Sequence, residues 1–216
     1  MERPEVDPDS VSWTRRSYFD VLIDVCGPAT PGSMTVVGID GRSGSGKTTL
    51  ASGLAALDGH VVIVHLDDLA SGHADFDWAD LLIDEILLPL RLNSLPVEFR
   101  CPPRTGDRRI TIPEGAEVVI VEGVGACRGE VRQMLDAAVW VHVSPTTAQR
   151  RLLAKGNADA HFGRQWVAEE TSFLDHHQPW ASADLFVHGE LGQPAWDGRY
   201  GNVVTAPGPG IQAMRQ

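Results

Sequence analysis

The sequence predicts a doubly wound α/β fold, a three-layer sandwich built on a parallel sheet of five strands. Three observations carry that expectation. Short apolar runs rich in β-branched residues occur at 35–40, 61–66, 118–121, 139–143 and 184–187, and unbroken Val/Ile runs of this kind suit strands buried on both faces. Segments with apolar residues at helical spacing lie between them, at 47–57, 76–92, 128–136, 146–155 and 164–175, and regular alternation of the two is the pattern of a doubly wound sheet. Residues 41–48 read Gly-Arg-Ser-Gly-Ser-Gly-Lys-Thr, a full match to the phosphate-binding pattern G-x-x-x-x-G-K-[ST], set where it belongs between a strand and a helix.

A chain of 216 residues accommodates one such domain, here residues 1–190, with a substrate-side insertion at 67–113 and a short lid at 145–166. Residues 191–216 are rich in Gly and Pro and read as a loop-rich or disordered tail. A formal net charge of −11 argues against general affinity for nucleic acid or anionic membrane, both of which need clustered positive charge. No apolar run approaches the length of a membrane span, and the acidic first residues lack the apolar core of a secretory signal, so a cytoplasmic location is expected. Cys26, Cys101 and Cys127 are scattered without C-x-x-C spacing and read as reduced thiols. Self-association is compatible with this composition.

Taken in order, residues 10–26 fit a helix capped by Ser10 or Ser12, with Tyr18, Leu22 and Val25 on one stripe. The phosphate loop follows the first strand, and each residue type in it has a physical task. Gly41, Gly44 and Gly46 let the backbone take positive φ and turn its N–H groups around phosphate oxygens, in the company of Ser43, Ser45 and Thr49. The helix starting near Lys47 adds the positive end of its dipole. Lys47 reaches the β- and γ-phosphates, and Thr48 offers its hydroxyl to Mg²⁺.

Ligands of open α/β sheets bind beyond the carboxyl ends of the strands, so acids there bear on chemistry. The second strand runs into Asp67-Asp68 and the third into Glu122-Gly123. A carboxylate near a γ-phosphate holds Mg²⁺ or accepts the proton of an attacking hydroxyl, although an Asp at such a position also caps helices. Glu122, ending an apolar run, is the metal-shell candidate, and Asp68 is a second one.

Gly41-Arg42-Ser43-Gly44-Ser45-Gly46-Lys47-Thr48-Thr49, then Asp67-Asp68-Leu69 and Val119-Ile120-Val121-Glu122-Gly123-Val124, together resemble the uridine kinase and nucleoside/nucleotide kinase-like group of P-loop kinases. The resemblance covers roughly 34–188 by order and spacing. It implies a five-stranded parallel core of the P-loop NTPase type, ATP and Mg²⁺, and transfer of a γ-phosphoryl group to the hydroxyl of a small-molecule acceptor. It also implies that Asp67 is the general base, with Asp68 as close competitor. A nucleotide-binding regulator or slow ATPase without a small-molecule acceptor is the alternative.

After the fourth strand, Arg150, Arg151 and Lys155 lie on about three helical turns. Kinases of this group place a basic lid there, and a solvated helix face is the other reading. At least one of Arg150 and Arg151 is expected to point inward. The chain departs from the uridine kinase pattern in Lys155-Gly156-Asn157, where Arg164 offers a replacement cation or a surface salt bridge to the Glu169-Glu170 pair. Arg100, Arg104, Arg108 and Arg109 form a basic cluster in the insertion. With Asp68, Arg100 and Arg104 are the substrate candidates, since such a cluster binds an anionic group or decorates a hairpin. Trp78 reads as core ahead of a stacking platform, and His176-His177 as a surface turn before Pro179.

Overall fold

The structure is a computed structural model that describes residues 11–27, 34–70, 76–101, 108–154, 160–193 and 201–210. The five expected runs form parallel strands: β2 (Thr35–Asp40), β3 (Val61–His65), β6 (Val118–Glu122), β7 (Ala137–His142) and β8 (Leu185–Gln193). β2 pairs in parallel with both β6 and β7, β3 joins β6, and β8 joins β7, giving the order β8-β7-β2-β6-β3. Chain connections therefore leave β2 toward one side and β7 toward the other. The carboxyl end of β2 lies at that switch point, where open α/β sheets bind their ligands.

Two further strands extend the sheet beyond the expected five. β1 (Thr14–Ser17) and β9 (Asn202–Pro207) pair antiparallel with each other, and β9 pairs antiparallel with β8. Both correct the sequence reading. The helix expected over 10–26 starts only at Tyr18 (α1, Tyr18–Cys26), because the residues before it pair with β9. Its N-cap is Ser17, whose hydroxyl accepts from Asp20 N at 3.1 Å while the Asp20 carboxylate accepts from Ser17 N at 3.4 Å, a capping box. In the stretch read as tail, Val203, Val204, Thr205 and Ala206 are buried by their sheet neighbours.

The side-chain alternation of β2 distributes the core to both faces. Val37 and Ile39 point toward α1 and α2 (Lys47–Ala55), packing with Tyr18, Val21, Leu50 and Leu54. Val36 faces the opposite layer, where α3 (Leu66–Ala70) is followed by a helix running from α4 (Ala79–Leu82) through a π-helical stretch (Ile83–Leu87) into α5 (Leu88–Arg91). Trp78, Leu82, Ile86 and Leu90 are buried there, so Trp78 is core. The insertion ends in a hairpin, β4 (Val97–Arg100) and β5 (Arg109–Ile112), that buries Val97, Ile110 and Ile112 and leaves Arg100 and Arg109 outside. On this side of the sheet α8 (Ala160–His177) sets Leu174 against Trp140 and Phe186.

Two further α-helices among the described residues are α6 (Gly129–Arg132), shorter than expected, and α7 (Pro145–Ala154), and a 3-10 turn spans Pro179–Ser182. His176 and His177 close α8. All three cysteines are free thiols, Cys26 half-buried and Cys101 and Cys127 buried.

Candidate active site

The phosphate loop joins β2 to α2 at the switch point, and its shape requires glycine. Gly41, Gly44 and Gly46 have φ of 151°, 84° and 106°, values that side-chain-bearing residues rarely adopt. A Cβ at Gly41 would lie 2.6 Å from Val141 O, and one at Gly44 2.6 Å from Ala148 O. Gly46 is the N-cap of α2, so the first amides of that helix point outward without intrahelical partners. Ser45 Oγ is buried and unpartnered among the described residues. Positive-φ glycines, orphan helix amides and a buried hydroxyl together make a cradle that fits phosphate oxygens.

Lys47 is buried on the first turn of α2, its Nζ donating to Gly41 O at 2.8 Å and Arg42 O at 3.1 Å. Burial pulls its pKa down, while the nearby carboxylates of Asp40, Glu170, Glu122 and Asp67 support the charged form. Beside it, Thr48 Oγ1 donates to Glu122 Oε1 at 3.0 Å. The two residues singled out as metal candidates at the loop and at the end of β6 are thus brought together. A hydroxyl and a carboxylate are the oxygen donors that suit Mg²⁺, an ion that keeps several waters and takes few protein ligands. Among the described residues no group of three or more His, Cys, Asp or Glu could hold a metal ion.

His65, at the end of β3, donates Nδ1–H to the same Glu122 oxygen at 2.6 Å. That bond raises the His65 pKa against the opposing effect of burial. Burial would raise the Glu122 carboxyl, but the His65 bond, the Lys47 charge and the Thr48 bond together hold it below its ordinary value.

Asp67 and Asp68 occupy the first turn of α3 at this same end of the sheet. Asp67 is exposed and close enough to support the charges of Lys47 and His65. Asp68 forms an ion pair with Arg108, next to β5. Arg100 and Arg150 are exposed. Arg151 turns inward, donating to Gly189 O at 2.9 Å and Gly44 O at 3.3 Å, so the α7 cation that meets the phosphate loop is this one. Arg104, the side chain of Arg164 and 155–157 of the lid lie outside the described residues.

A cavity of about 520 Å³ opens beside the loop, lined by Gly44, Gly46 and Thr49 on one side and by Val187, His188 and Val203 on the other. Its far wall is supplied by β8 and by β9, one of the two strands not expected from the sequence.

Three residues that sequence reasoning missed also shape the site. Asp40 is fully buried and accepts from the backbone N–H groups of Gly41, Gly125 and Cys127 at 2.7, 2.9 and 3.0 Å. It ties the start of the phosphate loop to the turn after β6, and burial, opposed by those bonds and by Lys47, raises its pKa to about 6. The signal was an acid at the end of an otherwise apolar strand. Glu170, read as a surface partner for Arg164, is buried and accepts from Ser43 N at 2.7 Å. His65 stood in view beside Asp67 with no partner legible until β6 was paired with β3.

No family model matches the chain. It is 31% identical over 145 residues to uridine-cytidine kinase C of Dictyostelium discoideum, a match covering 61% of this chain and 32% of that protein. The chain thus spans about a third of the length of that relative. Among solved structures it is similar to a possible uridine kinase from Bacillus stearothermophilus, with a TM-score of 0.56, 22% identity, and coverage of 78% of this chain and 96% of that one. It is likewise similar to the D-glycerate 3-kinase of Cryptococcus neoformans, with a TM-score of 0.53, 15% identity, and coverage of 79% and 92%. These likenesses establish the α/β fold of P-loop kinases. Among the described residues no helix is long and apolar enough to cross a membrane.

Proposed function

We propose that this chain, uridine kinase-like in sequence and fold, is a phosphotransferase that moves the γ-phosphoryl group of ATP to a hydroxyl of a small metabolite. The observation that carries this reading is the convergence of Lys47, Thr48, Glu122 and Asp67 on the carboxyl ends of β2, β3 and β6, beside a phosphate cradle. The cradle takes the phosphates, and the adjoining cavity is of a size for base and ribose. Thr48 and Glu122 would hold Mg²⁺, which when bound would draw charge from the phosphate oxygens. Lys47 neutralises the β- and γ-phosphates, and Arg151, anchored on the loop through Gly44 O, adds positive charge on the lid side.

Asp67 orients the acceptor hydroxyl and takes its proton as the oxygen bonds to the γ-phosphorus. The bond from that phosphorus to the bridging oxygen of ADP breaks, and ADP leaves. Asp68, held by Arg108, borders the acceptor side with Arg100.

The test is a screen of hydroxylated metabolites scored by ATP consumption above the acceptor-free rate. Uridine and cytidine, the substrates named for the Dictyostelium relative, head the panel, followed by sugars and hydroxy acids. Acceptor-dependent consumption with a phosphorylated product is the expected outcome. Consumption indifferent to every acceptor would replace this reading with a slow ATPase.

A further inference from the structure

The tip of the phosphate loop is held from outside the motif. Ser43 lies between Gly41 and Gly44, both at positive φ, where the chain's own conformational freedom is greatest. α8 supplies the restraint. The Glu170 carboxylate accepts the Ser43 N–H at 2.7 Å, and one helical turn earlier Trp166 Nε1 donates to Ser43 Oγ at 3.0 Å. Thr171 Oγ1 takes Arg42 Nη1 at 3.4 Å. Glu170 is only 2% exposed, and a carboxylate so deeply buried needs both a hydrogen bond and a nearby cation. Ser43 N–H is the first, and the second is Lys47, whose charge Glu170 helps to support. The Trp166 ring also lies 5.3 Å from Phe76, which stacks on Phe173 at 4.2 Å.

We propose that Glu170 and Trp166 are positioning residues that fix the shape of the phosphate loop and thereby set nucleotide affinity. Neither belongs to the loop motif. Each acts through Ser43, Glu170 on its main chain and Trp166 on its side chain. The inference rests on the nucleotide-binding part of the reading above.

Calorimetric titration with Mg-ADP, run on wild type, Glu170→Gln, Glu170→Ala and Trp166→Phe beside thermal melts, tests it. Glu170→Gln keeps an oxygen that accepts from Ser43 N–H and is expected to bind within about twofold of wild type, while Glu170→Ala binds about fivefold more weakly. Both variants lose the same charge, so that split reports the bond to the loop. Trp166→Phe is expected to lose most of the tryptophan fluorescence change that Mg-ADP produces in wild type, since its indole touches the loop directly. The proposal is overturned if Glu170→Ala binds like wild type, if the Gln and Ala variants weaken together in step with their melting temperatures, or if the fluorescence change survives in Trp166→Phe. A wild-type protein that binds no Mg-ADP overturns the nucleotide-binding reading as well, which separates the two failures.

Discussion

The phosphate loop and the β4–β5 hairpin are held in opposite ways. The loop is knit to the rest of the domain by groups from several elements: the buried carboxylates Asp40 on β2, Glu170 on α8 and Glu122 on β6, and the half-buried Trp166 on α8 and Arg151 on α7. The hairpin buries Val97, Ile110 and Ile112 beneath it, but its link to the site is the ion pair of Arg108 with Asp68, in which the arginine is 63% exposed. Buried, hydrogen-bonded charges resist change because losing one partner strands the other, whereas exposed pairs contribute little. The phosphate side is therefore a fixed device. The hairpin is anchored chiefly by its apolar underside and leaves its polar surface free to vary, which under the proposed function would suit one phosphate chemistry combined with many acceptors.

The largest effect that sharpens this contrast is expected at Lys47. Lys47→Ala removes the cation that the proposed function directs at the phosphates and should lower ATP-dependent turnover by at least about 10³-fold. Because Lys47 is buried among Asp40, Glu170 and Glu122, the same change should also destabilise the fold by about 3 kcal/mol. That departs from what a solvent-exposed loop lysine would do. Denaturant unfolding measures it, and an unchanged midpoint would mean that the loop is not knit in as described.

Asp67→Asn probes the boundary between the two regions. Asp67 is exposed and lies outside the cradle, so nucleotide affinity should stay near wild type while turnover with an acceptor falls roughly 10²- to 10⁴-fold. Single-turnover rates, compared with those of Asp68→Asn, assign the base. Equal, near-wild-type rates for both variants would make the Asp pair a helix cap and favour the regulator reading.

What was legible in the sequence follows the same division. The five parallel strands announced themselves because strands buried on both faces must be apolar throughout, and the phosphate loop because its glycines and lysine are fixed by geometry. β1 was hidden because Thr14-Arg15-Arg16-Ser17 is a polar edge strand whose existence depends on β9, nearly two hundred residues away. The true helix start was readable in Ser17-x-x-Asp20, a capping-box spacing overlooked in favour of earlier serines. Glu170 could not be told from Glu169 by spacing alone. Glu169 accepts from Gln165 on the helix surface, and Glu170 turns under the loop. Only the packing of α8 on the loop decides between them.

A smaller effect is expected on the hairpin. Arg108→Ala should change stability by about 1 kcal/mol or less, since the arginine is 63% exposed although its partner Asp68 is only 17% exposed, and leave Mg-ADP affinity within about twofold of wild type. Its consequence should be confined to the acceptor, as a several-fold rise in KM at similar kcat, once an acceptor is known. A loss of nucleotide affinity would show that the two sides are coupled more tightly than their contacts imply.

The smallest expected effect is a pH dependence at the junction of the regions, where His65 meets Glu122. Its pKa is raised in the folded protein, first by the bond to Glu122 and against the effect of burial. A histidine whose folded pKa exceeds the unfolded value adds stability that is complete below about pH 6.5 and is lost as pH rises through the folded pKa. Asp40 acts in a different window. Its folded pKa of about 6, against 3.8 unfolded, makes its contribution decline between those two values. His60 is raised as well, by its bond to Gly115 O, so it needs its own control. Melting temperatures of the metal-free protein in EDTA should therefore fall from neutral to mildly alkaline pH by a small amount. His65→Gln should flatten part of that fall, and His60→Gln should leave that part in place. If His65→Gln keeps the full wild-type slope above pH 6.5, the His65–Glu122 bond contributes nothing measurable, and Glu122 is held by Thr48 and Lys47 alone.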